Sequence, residues 1–273
     1  MTLKDRTILI TGASRGIGKA IALKLAAEGA NIVIAAKSTE ENPRLGGTIF
    51  SSAKDIEAAG GQALPVACDI RHEEQIREVV KQAVDRFGGI DMLVNNASAI
   101  QLTNTEATET KRFDLMHDIN VRGTFLVTKH CIPYLKKSDH AHILTLSPPL
   151  NIEPKWFQHH VAYTMTKYSM SMMTIGWAAE LKKDKVAANS LWPRTTIDTA
   201  AVRNLLGGEI LANMSRKPAI LADAASWILH QPPEECSGNL FIDEIVLDKA
   251  GIKDLEQYAV KPGAKLYNDL FID

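Results

Sequence analysis

The sequence predicts an α/β fold, a doubly wound parallel sheet of about seven strands with helices on both faces. Three observations carry this expectation. Short apolar runs alternate with amphipathic stretches along the chain, the order expected of parallel strands joined by crossover helices. Most of the runs are apolar at every position, as in strands buried on both faces. A glycine-rich turn, TGASRGIG (11–18), joins the first run to the first amphipathic stretch.

Taken in order, the strands are TILIT (7–11), NIVIA (31–35), ALPVA (63–67), DMLVN (91–95), HILTLS (142–147), VAANSL (186–191) and NLFID (239–243). The stretch 16–29 repeats apolar residues at helical spacing and stops at Gly29. In 72–89, acids come early, bases late and glycine at the stop, which complements the helix dipole. The spans 113–137 and 162–183 predict the two longest helices, and their Met and aromatic stripes suit core or subunit packing. LKKDK (181–185) reads as a solvated helix end. Two long irregular stretches, 37–52 and 192–218, interrupt the pattern, and such loops in a compact α/β domain often serve function. With no repeat, low-complexity segment or linker, residues 1–273 are expected to form one domain. It comprises a dinucleotide-binding core (6–243) that includes a substrate loop (192–218), followed by a tail (244–273).

Composition narrows the classes. Apolar residues make up 45% and charged residues 23% of the 273-residue chain, a globular profile. Lys plus Arg number 31 against 32 Asp plus Glu, so nothing calls for nucleic acid or an anionic membrane. Cys68, Cys131 and Cys236 are odd in number and far apart, which argues against a disulfide framework or zinc site. His159 and His160 are adjacent and would point apart, so no metal is expected. No apolar run approaches membrane-span length, and a signal peptide would not fit before Arg6. A reducing, cytoplasmic setting is expected, or an organellar matrix.

The glycine turn points to a dinucleotide. Gly12, Gly16 and Gly18 at a strand-to-helix turn let the backbone approach a pyrophosphate, which the helix N-terminus then holds. Ser14, Arg15 and Ile17 complete the loop. An acid at the end of the next strand would select NAD. Here that strand ends in Ala35, Ala36 and Lys37, and Arg15 lies within the loop. Two cations and no carboxylate suit a 2′-phosphate, so NADP is expected over NAD.

The motifs TGASRGIG (11–18), CDI (68–70), VNNASA (94–99) and YTMTK (163–167), with Asn120 in DINVRGTF, follow in the order of one family. By them the chain resembles the short-chain dehydrogenase/reductase family, whose Rossmann-type fold agrees with the sheet derived above. ITGASRGIGKAIALK, ANIVIAAK, CIPYLKKS, SPPLN and NLFIDE make it similar to the hydroxysteroid dehydrogenase-like branch. Some members of that branch carry an added sterol-carrier domain, which this chain is expected to lack. The resemblance implies that Asp69 and Ile70 sit by the adenine and that Asn96 and Ala97 flank the ribose and nicotinamide. It also implies that Pro193 and Thr196 lie in the segment contacting the nicotinamide amide. It implies a homodimer or homotetramer built on the two long helices. Three departures stand out. Ser98 and Arg194 replace usual glycines, and IDEIVLDKAGI replaces the glycine-rich ending after the last strand.

The chemistry follows from Tyr163 and Lys167. Four residues apart, they share one helix face. A tyrosine of pKa about 10 is a poor base, and a nearby ammonium lowers that value. A shift of about 3 units needs about 4 kcal/mol, which a lysine and a nicotinamide cation in a dry cleft could supply. Tyr163 would then exchange a proton with a carbonyl or alcohol oxygen, and Lys167 would also hold the nicotinamide ribose. The YxxxK spacing resembles the family's ketone/alcohol enzymes, whereas its enoyl reductases use a wider gap. The resemblance gives Asn120 a water that links Lys167 to solvent. The family's substrate-orienting serine has shifted: by strand alignment its slot falls on Pro148, which has no donor. Ser147 is one substitute and Asn151 another, and Ser147 could face the wrong way, since successive strand side chains alternate. Trp156 and Phe157, within the stretch 148–160, are candidate walls of the substrate pocket. The function expected is an NADP-dependent oxidoreductase of a secondary alcohol or ketone of steroid, lipid or other apolar type. The alternative is a dinucleotide-binding sensor or scaffold with little turnover.

Overall fold

The computed structural model describes residues 2–43 and 45–273; residues 1 and 44, the latter inside the irregular stretch 37–52, lie outside the description. The strands are β1 (Thr7–Thr11), β2 (Asn31–Ala36), β3 (Gln62–Ala67), β4 (Met92–Asn95), β5 (Ala141–Thr145), β6 (Val186–Trp192) and β7 (Leu240–Ile242). They form one parallel sheet in the order β3-β2-β1-β4-β5-β6-β7. The order reverses between β1 and β4, so the crevice for a ligand opens at the carboxyl ends of those strands. Alternate strand residues feed two cores. Ile8, Ile10, Ile32 and Ile34 meet α1 (Gly16–Ala26), α2 (Ile49–Ala58), α8 (Ala219–His230) and α9 (Asp243–Lys249). Leu9, Val33, Leu93 and Ile143 meet α3 (Glu73–Phe87), α5 (Thr124–Leu135) and α6 (Val161–Glu180) on the other face.

Each of the seven sequence-predicted strands appears, with ends shifted by at most two residues. The helices depart more. The span 113–137 is α4 (Thr110–Met116), a π-helical stretch (His117–Gly123) and then α5. Gly123 closes that stretch against Ile70, whose side chain would lie 2.8 Å from a Cβ there. The irregular 37–52 stretch ends in the first turn of α2. Thr48 caps that helix by accepting from Ser51 N (3.0 Å), while Ser51 Oγ accepts from Thr48 N (2.9 Å). Within 192–218 lie a second short π-helical stretch (Val202–Leu206) and α7 (Gly208–Asn213). Helix α8 did not emerge from the sequence, although Pro218 precedes it and its apolar residues Ile220, Leu221, Ala224, Ala225 and Ile228 are buried.

The tail is ordered by backbone pairing. After α9 the chain returns along the 192–218 loop, forming antiparallel bridges Arg216–Ala259 and Thr195–Asn268. Thr196 N donates to Tyr267 O at 2.9 Å. Phe271, 1% exposed, ends inside a ring of aromatic side chains from Trp156, His160, Tyr163, Tyr168 and Trp192. Among the described residues no helix is long and apolar enough to cross a membrane.

Candidate active site

The glycine loop lies at the switch point. Gly12 and Gly16 adopt φ of 71° and 57°, which favour glycine. Gly18 has no room for a side chain, since a Cβ would lie 2.4 Å from Asn96 Nδ2 and 2.8 Å from Gly12 O. That amide donates to Thr11 O (2.9 Å) and Gly12 O (3.3 Å), tying β4 to the loop. Thr11 Oγ1 accepts the backbone N–H groups of Asn96 and Ala97, each at 3.0 Å. No side chain caps α1, so its first-turn N–H groups are available to an anion. Such a loop has the shape and donors that a pyrophosphate requires.

Arg15 and Lys37 border this platform differently. The Arg15 guanidinium donates to Gly46 O (2.6 Å), Ser38 Oγ (2.8 Å) and Gly47 O (2.9 Å), folding the 45–47 turn onto the glycine loop. Gly47 (φ 67°) touches Ser14 O so closely that a Cβ would lie 2.5 Å from it. Lys37 is exposed and lies close enough to Asp69 to favour its ionised form. Arg71, bonded to that carboxylate through its guanidinium, is the main cause of its lowered pKa. Ile70 is buried against Gly123.

A cavity of about 680 Å³ opens from the loop toward the tail. Ile17, Asn96, Pro193 and Thr196 line one part of it, and Tyr163 and Lys167 line it from α6. The structure therefore brings Tyr163 and Lys167 to one cleft with the glycine loop. They are 5% and 2% exposed. Lys167 Nζ donates to Leu146 O at 2.5 Å, approaches Met170 Sδ at 3.5 Å and sits 5.0 Å from the centre of the Trp192 ring. Burial pushes its ammonium down to about 7, opposed by the Asp269 carboxylate. Burial also pushes the Tyr163 phenol above its ordinary range. The expected lowering of the tyrosine by lysine is thus outweighed by burial, and the Asp269 carboxylate adds to the rise.

The remaining expected residues are placed as follows. Ser147 is fully buried beyond the end of β5, and its Oγ has no hydrogen-bond partner. It does not line the cavity, whereas its neighbour Leu146 does. Asn151 Nδ2 donates to Asp273 at 3.0 Å, away from the cavity. Asn120 is buried in the π-helical stretch; its amide donates to Ala99 O (2.9 Å) and Thr166 Oγ1 (3.0 Å), and its Oδ1 accepts from Ala99 N (2.8 Å). That side chain is occupied in fixing the segment after β4 and is not among the contacts of Lys167. Trp156 and Phe157 do not wall the cavity. They pack on Phe271 and Tyr168 instead, because the tail inserts between them and the cleft. The 192–218 loop does supply a wall, through Ile197, Val202, Leu206, Ile210 and Met214.

The tail supplies what the sequence did not reveal. Tyr267, Asn268, Asp269 and Leu270 line the cavity opposite the glycine loop. Trp192 Nε1 donates to Leu270 O at 2.9 Å, and Asp269 N donates to Arg194 O at 3.0 Å. Arg194 N donates to the buried Asp243 carboxylate at 2.8 Å, and its guanidinium reaches Glu244 (3.6 Å) and Asp273 O (3.4 Å). The two departures noted at Arg194 and after β7 are therefore one device, a residue and the tail it anchors. That pairing of departures was the available signal.

A family model for short chain dehydrogenases matches residues 6–208. The chain is 58% identical over 267 residues to hydroxysteroid dehydrogenase-like protein 2 of Xenopus laevis, covering 98% of this chain and 63% of that protein. The rat protein of the same name is 57% identical over 98% of this chain and 50% of its own length. The chain thus spans from half to just under two thirds of these relatives. Among solved structures, a short chain dehydrogenase of Mycobacterium thermoresistibile is 50% identical with a TM-score of 0.94, covering 100% of this chain and 96% of that one.

Proposed function

Because this chain belongs to the short chain dehydrogenase family, on its hydroxysteroid dehydrogenase-like branch, we propose that it interconverts a secondary alcohol and a ketone with NADP. The observation that carries this reading is the single cleft lined by Tyr163, Lys167 and the glycine-loop residue Ile17. The dinucleotide, when bound, supplies the hydride. Tyr163 then gives its phenolic proton to the carbonyl oxygen in reduction, or takes it back in oxidation. Lys167 stabilises the phenolate and orients the nicotinamide ribose. Gly12, Ser14, Gly16 and Gly18 hold the pyrophosphate, with Asp69 and Ile70 by the adenine and Asn96, Ala97, Pro193 and Thr196 around the nicotinamide. Asn120 keeps the segment around Ala99 in place. The mostly apolar lining supports an apolar substrate, of steroid, lipid or similar type.

Arg15 and Lys37, with no acid at the end of β2, support NADP over NAD. Exposed apolar residues on α5 and α6, among them Phe125 and Met172, support pairing of two or more copies. Three buried, unbridged cysteines support a reducing compartment. The test is a panel of apolar ketones and alcohols with both nicotinamide cofactors, followed by cofactor absorbance. Oxidation of NADPH on a ketone supports the reading. Tight NADPH binding without turnover on any carbonyl would favour a sensor instead, a second reading motivated by the buried Ser147 hydroxyl.

A further inference from the structure

We propose that Asp269 is the substrate-orienting third polar group of this active site, its carboxyl holding the reacting oxygen of the substrate beside Tyr163. The inference rests on the oxidoreductase reading above. The first ground is that the residues at and near the expected serine position are not available to the cleft. Ser147 Oγ is buried outside it, Pro148 has no donor, and the Asn151 amide is engaged by Asp273. Among the other polar side chains that face the cavity, Asn96 is bonded to the backbone of the glycine loop and Thr196 to Ser215 Oγ at 2.7 Å, while Ser98, Thr199, Tyr267 and Asn268 line it as well.

The second ground is placement. Asp269 lines the cavity together with Tyr163 and Lys167, and its charge acts on both of them. Its position is fixed on both sides: its own N–H is held by Arg194 O at 3.0 Å, and the next carbonyl is held by the Trp192 indole at 2.9 Å. That indole ring also packs against Lys167 Nζ. One carboxyl oxygen, Oδ1, accepts from Leu270 N at 2.7 Å, and Oδ2 has no described partner. A carboxyl with one anchored and one free oxygen is built to meet a ligand.

The titratable groups facing Asp269 are Lys167 and Tyr163 on α6, Asp243 at the head of α9 and Tyr267 within the tail. Burial foremost, then Asp243, raises the carboxyl to about 7, with Lys167 pulling the other way. Near neutrality both forms are available. The protonated form donates to the reacting oxygen in both directions, to the carbonyl in reduction and, in oxidation, to the alcohol oxygen whose own proton passes to Tyr163. Asp269 keeps its proton throughout, while Tyr163 transfers its own.

The test compares wild type, Asp269→Ala, Asp269→Asn and Ser147→Ala on a ketone identified by the panel, with NADPH affinity measured separately by fluorescence. Asp269→Ala is expected to lower kcat/KM for the ketone roughly tenfold or more, in the range of a lost oriented hydrogen bond, with NADPH affinity unchanged. Asp269→Asn, which keeps a donor, should restore most of the rate while flattening the pH profile around neutrality. Ser147→Ala should match wild type. A loss below tenfold in Asp269→Ala, or a loss above tenfold in Ser147→Ala, overturns the proposal. If Asp269→Ala does not fold, the pH profile of Asp269→Asn decides alone, and an unaltered profile overturns it. Should wild type itself reduce no carbonyl, the parent reading falls and this one with it; an active wild type beside an equally active Asp269→Ala removes only this one.

Discussion

The rings of Tyr163 and Phe271 lie stacked, 6.3 Å between centroids and 28° between planes. A residue two positions before the last described one therefore braces the phenol assigned the proton transfer. Phe271 does so at a φ of 71°, a backbone region that bulky residues seldom adopt. The surrounding aromatic packing must outweigh that strain. Phe271→Ala should destabilise the protein by about 3 to 5 kcal/mol, as large-to-small changes of buried aromatics do, and should lower kcat without weakening NADPH binding. Denaturant melts and steady-state kinetics on the same preparation check both parts.

Tyr163→Phe removes the proton donor and leaves the ring stack. Turnover on a ketone should fall roughly 100-fold or more, the usual scale of general acid catalysis, with NADPH affinity retained. A variant that keeps its rate would dismiss Tyr163 from the proton step.

Arg15→Ala should weaken NADPH binding about tenfold or more while NADH binding changes little, the signature of a lost charge-assisted contact to the 2′-phosphate. The same substitution frees the 45–47 turn that the guanidinium holds. A control, Ser38→Ala, removes one of its anchors but no charge and should leave the cofactor ratio unchanged. Equal losses for both nucleotides in Arg15→Ala would reduce the side chain to a loop brace.

Lys167 and Asp269 make stability depend on pH in opposite senses. The Lys167 ammonium is pushed down to about 7 from 10.5, so between those values the unfolded chain binds the extra proton and stability rises with pH. The Asp269 carboxyl is raised to about 7 from 3.8, so between those values the folded chain binds the extra proton and stability falls as pH rises. Together they place a shallow minimum near neutrality. Relative to wild type, Asp269→Asn should lose the falling limb and Lys167→Met the rising one, as followed by chemical denaturation from pH 4 to 10. Parallel curves for all three proteins would contradict the assignment.

Gly18→Ala tests the platform itself. The added methyl would meet Asn96 Nδ2 and Gly12 O well inside contact distance, and overpacking of this kind costs about 1 to 3 kcal/mol. Nucleotide affinity should fall together with stability, because the same Asn96 amide ties the loop to β4. Calorimetric titration with NADPH gives the comparison.

The strands and the glycine loop were legible because their signals are local. TILIT and NIVIA are mostly apolar and wholly buried since both faces are covered, and Gly12 and Gly16 are glycines because the turn itself requires a positive φ there. The failures have the opposite origin. Strand alternation leaves two directions open to Ser147, and nothing near it in the sequence decides that its hydroxyl is buried away from the cleft. Trp156 and Phe157 suggest pocket walls in the sequence because the inserting Phe271 lies more than a hundred positions away. Asp269 carries no motif at all. Only the unusual Arg194 and the unusual ending hinted that these segments answer each other.

The two walls of the cleft are drawn from opposite ends of the sequence, the glycine turn from its opening residues and the Tyr267–Leu270 segment from its closing ones. Closing so long a loop costs entropy before any contact repays it. The chamber thus depends on pairings of high sequence separation, the kind that slow folding, whereas the glycine turn joins elements that are consecutive in the chain.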